Sequence, residues 1–132
     1  MDKNNCRTAK KIKKSKKEIK ILEKNNIDNK KVLGLGVAFA GIVDVENGIV
    51  AMSSVLPDMN LPLLEKLVGL PFEVLIENNA NAAAMGLKWK SDNNFGQSYL
   101  SILLEIGKNV NGLGIGIILN GELYRGASFC AG

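Results

Sequence analysis

An α/β fold, with a mixed sheet and flanking helices, follows from three features of the sequence. In the middle of the chain, β-branched and glycine-spaced runs alternate with segments rich in helix formers. Asn47-Gly48 and Asn120-Gly121 each stand between two apolar runs, the pattern of a tight hairpin. The third feature is length: 132 residues, 46% of them hydrophobic, suffice for one modest core.

Residues 8–26 favour helix, since Lys, Glu, Leu and Ile dominate and neither Pro nor Gly interrupts. The apolar stripe there is confined to Ile12, Ile19 and Leu22, with Ile21 beside it, so only the second half has a face to bury. The asparagine-rich stretch at 25–29 predicts a stop. "VLGLGVAFAGIVDV" (32–45) is almost uncharged, as suits a strand covered on both faces, and "IVAMSS" returns after Asn47-Gly48. Residues 61–68 suit a short helix with Pro62 in its first turn and Gly69 closing it. "PFEVLIE" predicts a second interior strand and residues 80–90 a second helix. After a polar loop at 91–97, "SYLSILLEI" predicts a strand and "GLGIGIILNGELYRG" the last hairpin. The chain thus opens with a lysine-rich leader (1–31), and the alternating strands and helices follow it.

The formal charge of +4 conceals a split. Residues 1–31 hold twelve of the seventeen Lys and Arg against four acids, whereas residues 32–132 hold five bases and nine acids. The basic character therefore belongs to the leader. Its lysines fall on every face and no aromatics lie among them, which fits a solvated helix better than a nucleic-acid surface. A small basic nucleic-acid-binding protein remains one alternative, but nucleic-acid binding is not expected of this chain alone. There is no histidine, and Cys6 and Cys130 lie near opposite ends, so zinc-site spacing and histidine-based catalysis are excluded for this chain. No amino-terminal apolar run has the form of a secretory leader and none has the length of a membrane span, which predicts a cytoplasmic setting without a membrane partner.

The stretch "IENNANAAAMGLKW" (76–89) carries the chemistry. A strand ending near Ile76 delivers Glu77, Asn78 and Asn79 to the carboxyl edge of a sheet, where open α/β sheets place ligands. Asn79 or Asn81 is suited to cap the next helix, and the alanines and Gly86 let that helix approach the sheet closely. Local spacing favours this structural role. Adjacent amides at a strand end can also donate to and accept from vicinal hydroxyls, as a sugar presents them. The series Gly112, Gly114, Gly116 invites a phosphate-loop reading but lacks both the third glycine of the dinucleotide fingerprint and a following Gly-Lys-Ser/Thr. Strand glycines under close backbone packing are the better reading.

Taken in order, "VLGLGVAFAGIVDVENGIV", "LPLLEKLVGLPFEVLIENNANAAAMGLKW" and "GLGIGIILNGELYRGAS" resemble the ROK family (repressors, open reading frames and sugar kinases) of the actin-like ATPase superfamily. The resemblance runs from about Glu18 to the last residue, and Glu-Asn-x-Ala-Asn-Ala-Ala-Ala is a family hallmark. It implies an actin-like ATPase (ribonuclease H-like) partial lobe, with residues 32–97 as part of the first lobe and residues 98–132 as the opening hairpin of the second. In this family the strand end and helix start hold the hexose, and the residue after Glu-Asn is usually an aspartate that takes the proton from the attacking hydroxyl. Here it is Asn79, whose amide can hydrogen-bond a hydroxyl but cannot act as a base.

Other departures follow. No Asp-x-Gly-Gly-Thr phosphate hairpin occurs in residues 1–31. The second phosphate loop, usually Gly-Thr-Gly, is matched by Val110-Asn111-Gly112, and the usual Pro-Gly-Pro by Ala40-Gly41-Ile42. Val55 stands where kinases commonly carry a sugar-binding asparagine. After Cys130-Ala131-Gly132 the family continues to a sugar-binding Glu-x-Gly-His and, in many members, a zinc site. The resemblance therefore implies a chain truncated at both ends or a fragment of a longer protein.

What it implies for function is a fragment closer to the sugar-responsive transcriptional regulators than to working kinases, with a fragment of an ATP-dependent hexose kinase as the alternative. Regulators of this kind carry a winged helix-turn-helix ahead of the sugar lobe, and the leader, with no second helix or turn signal, is not one. The implied substrate-binding residues are Asn78, Asn79 and Gly41. Asn111, Gly112 and Gly114 stand at the cofactor-binding positions, and there is no catalytic or metal-binding residue. ATP and Mg serve the intact kinases, and no cofactor is expected here. The implied partners are a hexose or amino sugar, weakly bound, and other copies of the chain recruited by uncovered apolar strands.

Overall fold

A computed structural model of the chain describes residues 19–53, 60–67, 69–90, 96–107 and 111–131. Most of the leader helix expected at 8–26, Val55, most of the polar loop and Val110 lie outside them. Residues 19–24 are helical. Asn26, at φ 54°, ends this helix in the left-handed region. Ile27 N–H reaches Leu22 O at 2.9 Å and Asn26 N–H reaches Glu23 O at 3.1 Å, the paired bonds of a Schellman stop. The asparagine-rich stop is therefore built as the sequence predicts. A single 3₁₀ turn, Asn29–Lys31, follows and is capped by Asp28.

Strand β1 (Gly34–Phe39) pairs in parallel with β5 (Glu73–Asn78), from Gly34 opposite Glu73 to Phe39 opposite Asn78. Their carboxyl ends thus lie at one edge. Strands β2 (Ile42–Asp44), β3 (Ile49–Met52) and β4 (Leu61–Pro62) form an antiparallel sheet beside them. The β2–β3 hairpin forms where Asn47-Gly48 predicts it, but its loop is four residues long. Asp44 accepts hydrogen bonds from the backbone and side-chain nitrogens of Asn47, and only Gly48 of the pair has a positive φ. Helix α1 (Leu63–Lys66) is shorter than expected and begins directly after Pro62. Val43, Val50, Leu63 and Ile76 make the buried core of this half, with Val37, Phe39, Leu61 and Leu67 packed against it.

Helix α2 (Asn79–Lys90) follows β5 with no intervening loop. Strands β6 (Tyr99–Ile106), β7 (Asn111–Leu119) and β8 (Glu122–Leu123) form the third sheet, all antiparallel. Asn120 and Gly121, at φ 53° and 80°, make the two-residue turn between β7 and β8. The fold is α/β and has both parallel and antiparallel pairing, divided among three small sheets.

Two glycines of β7, Gly114 and Gly116, are there for packing. Ala80 and Ala84 of α2 are fully buried, and a Cβ on Gly114 would lie 2.8 Å from the Ala80 Cβ. One on Gly116 would run into Ala80 O and into the Ala84 Cβ, the latter at 2.6 Å. Tyr99 OH also donates to Ala84 O at 2.7 Å. Helix α2 contacts β1 and β5 on one side and β6 and β7 on the other, and so spans the boundary predicted near residue 97.

The expectation of a strand covered on both faces at 32–45 and of an interior strand at "PFEVLIE" is corrected among the described residues, whereas β6 is open as the expected recruitment of other copies requires. Leu33 is 95% exposed and Leu75 65%. Along β6, Ser101 is buried while Leu100, Ile102, Leu104 and Ile106 are exposed, so α2 covers one face and nothing described covers the other.

Candidate functional site

The carboxyl ends of β1 and β5, the start of α2 and the facing ends of β6 and β7 enclose a cleft of about 530 Å³, within the range of small-molecule sites. The turn Ala40–Ile42 forms one wall, Asn78, Asn79 and Asn81 the floor, and Leu103, Glu105 and Gly112–Gly114 the other wall; Phe129–Ala131 reach the cleft from the chain's last turn. Sequence reasoning placed Gly41, Asn78, Asn79, Gly112 and Gly114 at a site, and all five line this cleft. Asn111 does not: it pairs with Ile106 at the far end of the hairpin.

The helix cap is corrected. Asn78, and neither Asn79 nor Asn81, supplies it: its Oδ1 accepts from the backbone N–H of Ala80 at 2.8 Å and of Asn81 at 3.0 Å. Its Nδ2 donates to Gly41 O at 2.8 Å. Gly41 is fixed at φ 135°, and a Cβ there would strike Met52 O, so only glycine brings this carbonyl to the amide. Ser53 Oγ donates to Ala40 O at 2.6 Å and secures the same turn. Asn78 thus spends both acceptor positions and one of its two amide hydrogens on structure.

Asn79 points the other way. Its Nδ2 donates to Glu105 Oε1 at 2.8 Å across the cleft, while its Oδ1 accepts from Ala80 N–H at 3.0 Å. Asn81 is only 5% exposed. Its Nδ2 donates to Glu77 Oε1 at 3.3 Å, and its Oδ1 has no hydrogen-bond partner among the described residues. Glu77 is the hub beneath: Oε1 also accepts from Asn78 N–H at 2.9 Å, and Oε2 lies 2.6 Å from Arg125 Nη2. Among the described lining residues Glu105 is the one charged side chain. Among the described residues no group of His, Cys, Asp and Glu could hold a metal ion, and no helix is long and apolar enough to cross a membrane.

Glu105 and Arg125 were not singled out from sequence. A signal for Glu105 was present: it is the one charge in an otherwise apolar strand, on the parity of Ser101 and Leu103 and not on that of Leu100 and Ile102. Arg125 had none, because its partner is remote in the chain.

The family model for the ROK family matches residues 5–132. The chain is 39% identical over 106 residues to a xylose repressor from Caldicellulosiruptor bescii, covering 78% of this chain and 25% of that protein. It is 37% identical over 119 residues to a beta-glucoside kinase from Listeria monocytogenes, covering 87% of this chain and 37% of that one. Its structure is similar to that of a ROK family glucokinase from Streptomyces griseus in complex with glucose and AMPPNP, with a TM-score of 0.64 and 33% identity, over 76% of this chain and 31% of the kinase. The chain spans between a quarter and two-fifths of the length of these relatives. With the sheet-edge asparagines, the glycine-lined strand β7 and the family match in agreement, the chain belongs to the ROK family, whose members similar to it include xylose repressors and sugar kinases.

Proposed function

We propose that this chain is the sugar-binding part of a ROK-type transcriptional regulator and carries out no phosphoryl transfer. The observation that carries the reading is Asn79, the amide that follows Glu77-Asn78 and donates a hydrogen bond to Glu105. A general base must accept a proton from the attacking hydroxyl, and a carboxamide has no site basic enough at neutral pH. The amide hydrogens left over on Asn78 and Asn79 and the Oδ1 of Asn81 suit sugar hydroxyls, each of which can both donate and accept. The likeness to a xylose repressor, and to a glucokinase solved with glucose, supports a sugar as the ligand class.

Mg-ATP does not fit the residues present. Phosphoryl transfer rests on positioning and on cations that neutralise the phosphates. The wall beside Gly112 instead presents the Glu105 carboxylate, whose Oε2 lies 3.5 Å from where a Cβ on Gly112 would stand. A negative charge at that place opposes a polyphosphate.

The alternative is a fragment of a sugar kinase, favoured by the likeness to the beta-glucoside kinase. One experiment tests whether this chain carries out phosphoryl transfer. The chain and its Asn79→Asp variant are assayed with ATP, magnesium and a panel of hexoses in a coupled assay. Neither should turn over, because a carboxylate at position 79 would meet Glu105 and would still lack a phosphate platform. Turnover above about 1 s⁻¹, an ordinary enzymatic rate, by either protein would establish the kinase reading.

A further inference from the structure

We infer that the cleft discriminates by charge: it takes a protonated amino sugar in preference to the neutral hexose, with Glu105 as the specificity-determining carboxylate, and disfavours sugar phosphates. The inference rests on the sugar-binding reading above and deepens it. Glu105 is the only charged side chain among the described lining residues, and none of them is a cation that would neutralise it. Asn79 engages Oε1 and holds the carboxylate in place. Oε2 has no partner among the described residues, and the missing side chain of Gly112 leaves space on that side. A fixed carboxylate with one free oxygen is an acceptor for an ammonium group, and charge-assisted bonds of this kind exceed neutral ones in strength.

A second observation points to a donor-rich ligand independently. Asn81 lies on the floor of the same cleft, is 5% exposed, and its Oδ1 has no partner among the described residues. A buried carbonyl oxygen without a donor is costly, and a ligand hydroxyl or ammonium hydrogen relieves that cost. The orphan oxygen and the free carboxylate oxygen are both acceptors. Ligands that bring hydrogens are matched by this wall, and ligands that bring phosphate oxygens are not.

The expected discrimination is modest because Glu105 is solvent-exposed and its field is screened. The test is an NMR titration of the chain with glucosamine, N-acetylglucosamine, glucose and glucose 6-phosphate at about pH 6, below the range in which amines lose their proton. Glucosamine should bind about three- to fivefold more tightly than glucose or N-acetylglucosamine, and glucose 6-phosphate most weakly, as for an exposed charge pair. In Glu105→Gln, which keeps an acceptor for Asn79, the ratio of glucosamine to glucose affinity should fall to about one. In the wild-type chain the same ratio should shrink as salt rises, a measurement that needs no variant. Equal affinities in the wild-type chain, or a preference that survives Glu105→Gln or high salt, overturns the assignment to Glu105. Failure of the wild-type chain to bind any of the four overturns the sugar-site reading itself, and the inference with it.

Discussion

Arg125 Nη2 lies 2.6 Å from Glu77 Oε2, an ion pair that ties the chain beyond β8 to the end of β5. The Glu77 side chain is 16% exposed and that of Arg125 31%, so the pair is screened less than a surface pair. Glu77 also accepts from Asn78 and Asn81, and its removal would leave three donors short of a partner. Arg125→Met should therefore cost about 1 kcal/mol of stability and Glu77→Ala about 2 to 3 kcal/mol, with the double variant below the sum. Urea unfolding of the four proteins measures this. Losses under about 0.3 kcal/mol for both single variants would show a pair that solvent screens as at a free surface.

The close approach of α2 to β7 makes a second prediction. A Cβ on Gly116 has no room between Ala80 and Ala84, whereas one on Gly36 in β1 meets nothing within 4 Å. Gly116→Ala should cost about 1 to 3 kcal/mol by overpacking. Gly36→Ala should be neutral or stabilising by up to about 1 kcal/mol, since alanine loses less backbone freedom on folding. Thermal melts of the two variants side by side decide it, and equal effects would contradict the packing described.

These two cases show what was legible in the sequence. The run of alanines announced a helix lying close on a sheet and the period-two glycines a strand under close packing, because each signal is local; that the two face each other was not announced. The strands, the Asn120-Gly121 turn and the asparagine-rich stop were readable for the same reason. The cap on α2 was misassigned because three neighbouring amides share one composition, and only the chain path decides which meets the helix N–H groups. That path brings Asn78 to Gly41 and Asn79 to Glu105, partners 37 and 26 residues away. Such contacts leave no local trace. The uncovered apolar strands were legible as surfaces that would recruit other copies, but an apolar run records that a face is to be covered and says nothing of what covers it.

Asp44 supplies the pH dependence. Its carboxyl is held below the ordinary aspartate value, first by the side-chain amide of Asn47 and then by the backbone N–H groups of Asn47 and Glu46. A lowered folded-state value means that the carboxylate favours the fold above the ordinary aspartate range. That contribution is lost as pH falls through the lowered value. Asn47→Ala removes the largest cause, so the Asp44 midpoint should move up toward ordinary aspartate and the acid loss of stability at this hairpin should shrink. Carbon-detected NMR titration of the Asp44 carboxyl reads the midpoint directly. An unchanged or lower midpoint in the variant would show that the Asn47 amide is not its cause.

The open face of the third sheet makes the last prediction. Leu100, Ile102, Leu104, Ile106 and Leu113 are each more than 60% exposed, and β6 is the edge of its sheet with no strand beyond it among the described residues. Exposed apolar faces and free edges recruit other chains. Two strands of this length offer a strip of roughly 300 Å² per copy, from a rise of about 3.3 Å per residue and a strand spacing near 5 Å, with side-chain width added. A stable dimer needs about 800 Å² per partner, so association of two copies through this face alone should be weak and dependent on concentration. The twelve bases of residues 1–31, against four acids, oppose it at low salt by mutual repulsion. That opposition fades as the screening length falls to about 3 Å near 1 M salt. Light scattering should therefore show mass rising with both protein and salt concentration. Ile102→Lys with Leu104→Lys should suppress the rise, since both side chains lie on the open face. A monomer at every ionic strength, or a salt-dependent oligomer that the double lysine variant leaves intact, would show that copies do not meet through β6.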